Sequence, residues 1–153
     1  MRRRSGVMTA GACVAMALGT GAGIMVSAGC SSTPTPVDYA RSYPERPNRG
    51  VTLDIQVFRG TSHLELTNTT ARAFGASTLW LNGWFSRPID GLAVGQTLRL
   101  RLREFRDEYS YAFRGGGFFA TEKPERLASV ELETDSDDGR VFYRLIVVGG
   151  EGN

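Results

Sequence analysis

Few residues in this chain are of the types that do chemistry. His63 is its one histidine. A histidine acting as general base needs a nucleophile and an orienting carboxylate within reach. No Gly-x-Ser-x-Gly elbow offers the nucleophile, and no second histidine is present to share a metal. The alternation of its segment places His63 on the polar side, opposite Leu64 and Leu66, as an ordinary surface residue. The run Asp135-Ser136-Asp137-Asp138-Gly139 sets carboxylates two residues apart, as clustered oxygen ligands for calcium require. It lacks the long loop and closing glutamate of such a site, and a tight hairpin turn uses the same residue types. The glycines of Arg114-Gly115-Gly116-Gly117-Phe118-Phe119 are not followed by the lysine and hydroxyl of a phosphate loop. Asp107 and Glu108 are candidates for a small hydrolase, but adjacent side chains of a strand point apart, so only a loop would converge them. The aromatics Trp84 and Phe85, just after the turn signal Asn82-Gly83, are candidate ligand-binding residues together with Phe118 and Phe119. They suit a sugar or a partner protein, with core packing as the competing use. No catalytic residue, metal site or cofactor is expected.

The elements that must position these residues have a period of two. Val51, Leu53, Ile55 and Val57 alternate with polar residues, as a half-buried strand requires. The same pattern returns at 63–68, 77–82, 97–103, 128–134 and 141–148. In Thr97-Leu98-Arg99-Leu100-Arg101-Leu102-Arg103 the leucines face one side and the arginines the other. The arginine row is a solvated face or, as a weaker option, a surface for anionic lipid or wall polymer, an attraction that added salt would weaken. Trp80, between Leu79 and Leu81, faces away from both. The run at 141–148 is the most continuously apolar and is expected at the centre. Glycine and aspartate turns separate the strands, and 105–109 has room for one helical turn. About seven short strands with one-sided apolar faces predict an all-β domain over 51–148, a single antiparallel two-sheet sandwich. The runs Leu66-Thr67-Asn68-Thr69-Thr70, Leu79-Trp80-Leu81-Asn82, Gly91-Leu92-Ala93-Val94-Gly95-Gln96-Thr97-Leu98 and Phe105-Arg106-Asp107 resemble immunoglobulin-like and fibronectin-type bacterial domains. That resemblance implies the sandwich fold and carries no function with it.

The first thirty residues have a different character. Arg2-Arg3-Arg4 precede a long uncharged stretch that ends in Val26-Ser27-Ala28-Gly29-Cys30. A basic start, an apolar middle and a small-residue exit make an export signal. With a cysteine directly after the small residues, the segment resembles the lipobox of bacterial lipoproteins, although Ser27 stands where a large apolar residue is usual. The resemblance implies cleavage before Cys30, lipidation of its thiol, and a place on the cell membrane or outer membrane facing the periplasm or exterior. Cleavage after Ala28 and retention as an uncleaved span are the other fates of such a segment. Residues 1–29 are then a signal peptide, 30–50 the lipidated cysteine with a proline- and serine-rich tether, and 149–153 a tail.

Removing the leader changes the balance of charge and thiols. The precursor has 18 basic and 16 acidic residues. The leader takes three arginines and no acid, so the remainder is slightly acidic, which excludes the basic face that nucleic acid requires. The other cysteine, Cys13, also lies in the leader. The mature domain is therefore without free thiol or disulfide and depends on packing for its stability. The expected partners are a membrane, through Cys30, and an envelope protein or polysaccharide.

Overall fold

The computed structural model describes residues 40–118, 120–137 and 139–149. All of them lie in the compact unit Pro34–Asn153. Cys30 and Phe119 fall outside the described residues.

Seven strands follow the chain: β1 (Ile55–Arg59), β2 (His63–Asn68), β3 (Ser77–Leu81), β4 (Phe85–Ile89), β5 (Thr97–Arg101), β6 (Val130–Ser136) and β7 (Gly139–Val148). A 3₁₀ turn at Leu102–Glu104 follows β5. It lies just before the stretch expected to hold a helical turn. The strands form one sheet in the order β4-β3-β6-β7-β1-β2-β5. Neighbouring strands are antiparallel except β1 and β7, which run parallel.

The expected two-sheet antiparallel sandwich is thus corrected to a single mixed sheet, strongly curled into a half-barrel. The reason is β7, the longest strand. Its first part pairs with β6 through Leu145, and Ile146–Val148 pair with β1. One unbroken strand therefore joins what would be two sheets. Alternation reports that one face of a strand is buried. It does not report whether a second sheet or the curl of the same sheet covers that face.

The inner face carries Ile55, Val57, Leu64, Leu66, Leu79, Leu81, Leu132 and Leu145, all buried. Between β5 and β4, the two edges, the chain after β5 adds Leu102, Phe105 and Phe113 to this core. Arg106 pairs with Ser86 of β4 through hydrogen bonds of 2.7 and 2.9 Å, and Arg87 meets Glu104 at 3.0 Å. The sequence pattern missed β4 because Pro88 interrupts it. Proline has no N–H to give to a ladder, and β4 tolerates it as an edge strand. On the other edge, Arg99 and Arg101 of β5 are exposed, and such charges discourage edge-to-edge pairing with another molecule.

Candidate functional site

The outer face of β3, β6 and β7 is a second, smaller buried cluster. Trp80 is 1% exposed there, on the side opposite Leu79 and Leu81. What covers it is the segment just before β1, residues 41–50, which lies within the stretch expected as a tether and here packs as a strap. Tyr43 stacks edge-on against Trp80 (5.2 Å between centroids) and Phe142 (5.6 Å). The Arg41 guanidinium lies 5.1 Å over the Trp80 ring. Backbone bonds fasten the segment along β7: the Phe142 N–H donates to the Asn48 carbonyl (2.8 Å), the Gly50 N–H to the Phe142 carbonyl (3.0 Å). Gly50 packs tightly here, since a Cβ there would lie 2.5 Å from the Tyr143 ring and would displace it.

Two carboxylates of β6, Glu131 and Glu133, are buried beneath this strap. Glu133 accepts from the Trp80 indole at 2.7 Å and from Arg41. Arg140 approaches it at 3.5 Å. Glu131 accepts from Tyr43 Oη and from Arg49, each at 2.5 Å. Buried carboxylates need such partners, because unpaired charge is costly away from water. Burial lowers the Arg41 pKa, and the nearby charge of Arg140 adds to the effect.

Desolvation, followed by the hydrogen bond to Glu131, pushes the Tyr43 pKa up to about 12. An unfolded tyrosine titrates at about 10. Between those values the folded state holds the proton more tightly, so stability falls as pH rises. Tyr43's contribution is whole below about pH 10 and is lost as the pH passes about 12. Urea midpoints measured from pH 8 to 12 are expected to fall more steeply for the natural chain than for Tyr43→Phe. Parallel curves would show that Tyr43 takes no part.

Beside the strap lies a cleft of about 340 Å³ lined by Tyr43, Pro44, Pro47, Trp84, Glu45 and Glu108, among others. Its far wall is the hairpin loop Asn82-Gly83-Trp84 between β3 and β4. Asn82 and Gly83 take φ of 56° and 63°, left-handed conformations that asparagine and glycine tolerate. The Asn82 side chain locks the loop. Its amide donates to the Arg126 carbonyl at 2.8 Å, and its oxygen accepts from the Ala128 and Ser129 N–H groups at 2.7 and 3.2 Å. Trp84 is left 50% exposed.

Asp107, only 5% exposed, organises what stands next to Trp84. Its Oδ2 accepts from the Trp84 indole at 3.4 Å. Its Oδ1 accepts from the backbone N–H groups of Tyr109 (3.0 Å) and Tyr111 (2.8 Å). Both tyrosines have their rings largely in water. The Tyr109 pKa is raised by its hydrogen bond to Glu108 and by that carboxylate's charge. Glu108 also accepts from the Ser42 hydroxyl, which ties this turn to the strap.

Of the three aromatics picked out from sequence that are among the described residues, Trp84, Phe85 and Phe118, Trp84 alone lines the cleft. Phe85 is buried in the core, edge-on to Phe113 at 5.2 Å. Phe118 is 95% exposed and lies in the glycine loop rather than at the cleft. Sequence reasoning missed Tyr43, Tyr109 and Tyr111. The available signal was two tyrosines alternating with polar residues in a loop, where no core needs them. His63 packs its ring against Gly60 and stands opposite Arg101 in the β2–β5 ladder. Among the described residues, no three histidine, cysteine, aspartate or glutamate side chains converge as a metal site. Compared with known protein families, curated proteins and solved structures, the chain matches none of them.

Proposed function

We propose that this chain is a lipid-anchored, non-catalytic binding module of the bacterial cell envelope, held by Cys30 and meeting its ligand at the Trp84 cleft. The observation that carries the binding role is Trp84 itself. A large aromatic is held half-exposed by a locked loop, although a domain without disulfides gains more by burying it. The anchor rests on the order of residues 1–30: arginines, an uncharged stretch, small residues, then Cys30. The alternative of a small hydrolase using Asp107 and Glu108 is less well supported. Both Asp107 oxygens already accept hydrogen bonds that hold Trp84, Tyr109 and Tyr111. A general base needs an oxygen open to the proton that it abstracts.

The test of the anchor is the intact mass of the protein extracted from membranes. The expected mass is that of a chain starting at Cys30 with added acyl groups. Cys30→Ser is expected to leave the membrane fraction and to carry no acyl mass. Recovery of the natural polypeptide uncut from cytosol would refute the proposal.

A further inference from the structure

Three exposed aromatic residues are anchored on one buried carboxylate. Trp84, Tyr109 and Tyr111 are 50%, 68% and 71% exposed, and each is tied to Asp107 through its indole or its backbone N–H. The adjoining cleft of about 340 Å³ falls within the roughly 300–1,000 Å³ of small-molecule sites. Its rim supplies mainly acceptors, the carboxylates of Glu45 and Glu108. Its arginine, Arg49, is half-exposed and turns one terminal nitrogen to Glu131 at 2.5 Å and the other to Tyr43 Oη at 3.4 Å.

We infer that the Trp84 cleft binds a short stretch of uncharged polysaccharide, with one sugar ring laid on Trp84, the next reaching Tyr109, which bonds the cleft's Glu108 from outside the lining, and sugar hydroxyls donating to Glu45 and Glu108. The inference rests on the reading of this cleft as a binding site. A pyranose ring has an apolar C–H face that matches an aromatic plane, and hydroxyls at its rim. Carboxylates accept hydrogen bonds and cannot donate them when ionised, so they fit a ligand rich in O–H donors. They disfavour an anionic polymer by repulsion. A proline-rich peptide is the other common ligand of an aromatic groove. It presents carbonyl oxygens and few N–H groups, so it needs donors. The indole N–H of Trp84 is engaged by Asp107, and the acceptors at the rim do not serve such a peptide.

The test uses the purified full chain in detergent and reads acrylamide quenching of tryptophan fluorescence. The chain has two tryptophans, and Trp80 is buried, so the quenching reports Trp84. The probes are cellohexaose, chitohexaose, maltohexaose and a decaproline peptide. At least one hexasaccharide is expected to protect Trp84 while decaproline does not. In calorimetry with that sugar, Trp84→Ala is expected to weaken binding about tenfold, the factor that ~1.4 kcal/mol represents. Tyr109→Ala, at an exposed position and with an unchanged circular-dichroism spectrum, is expected to weaken it as well. Protection by decaproline alone overturns the sugar and leaves the cleft as a binding site. Protection by no probe, or full affinity in both variants, overturns the inference. The anchor reading is decided separately by the mass of the Cys30 product.

Discussion

Asn68→Ala is expected to destabilise the domain by about 3 kcal/mol, a large share of the roughly 5–15 kcal/mol that holds a domain folded. Asn68 ends β2 and is fully buried. Its amide donates to the carbonyls of Arg72 (2.8 Å), Leu92 (3.2 Å) and Ala93 (3.1 Å). Its oxygen accepts from the Thr70 N–H at 3.1 Å and from the Thr70 hydroxyl at 2.7 Å. One side chain thus pins two loops, the one after β2 and the one before β5. Alanine removes every one of these bonds from a side chain that is itself fully buried. Asn68→Asp is the sharper variant. It keeps the acceptor for Thr70 but turns oxygen toward three carbonyl oxygens, and it is expected to cost at least as much as alanine. Urea denaturation with an unchanged m-value measures both. If aspartate is tolerated, the donor side of Asn68 is not what holds these loops.

Glu133→Ala is the second large effect, expected at about 2–3 kcal/mol. The substitution leaves the Trp80 indole N–H without its acceptor in a buried place and removes the counter-charge of Arg41. Breaking a fully buried ion pair costs roughly 3–5 kcal/mol. The smaller figure applies because Arg41 keeps 35% of its side chain exposed and regains water when its partner is lost. Glu133→Gln retains an acceptor for the indole and is expected to fall between the natural chain and alanine. Near-ultraviolet circular dichroism reads the packing of Trp80 alongside the denaturation midpoint. A midpoint unmoved by Glu133→Ala would show that the strap is held without this carboxylate.

How much of this was legible in the sequence varies by element. β2 runs from His63 to Asn68, where strict alternation placed it. The alternation of β5 carries on to Arg103, but the strand ends at Arg101. Leu102 turns into a 3₁₀ turn and takes its apolar side chain into the core by another route. The run Asn68-Thr69-Thr70 was visible as a strand end, and its hydrogen bonds give that spacing a physical reason. The placing of Trp80 opposite Leu79 and Leu81 was legible too. Its cover was not, because the residues that supply it, Arg41, Tyr43 and Arg49, sit among prolines in a stretch with no period. The cleft was half legible for the same reason. Trp84 follows a visible turn, whereas its facing wall belongs to that strap. The single sheet was not legible, since the pairing of β1 with β7 joins the two ends of the domain and leaves no local trace.

That pairing also governs timing. Gln56, Val57 and Phe58 find their partners in Ile146, Val147 and Val148, far along the chain from them. A chain emerging from the ribosome cannot make this ladder until β7 has been synthesised. Contacts between distant positions also pay a loop-closure cost before they are rewarded, which slows folding. The domain therefore stays open late. Under the proposed export, in which the polypeptide would cross a membrane as an extended thread, that delay would keep it fit for passage.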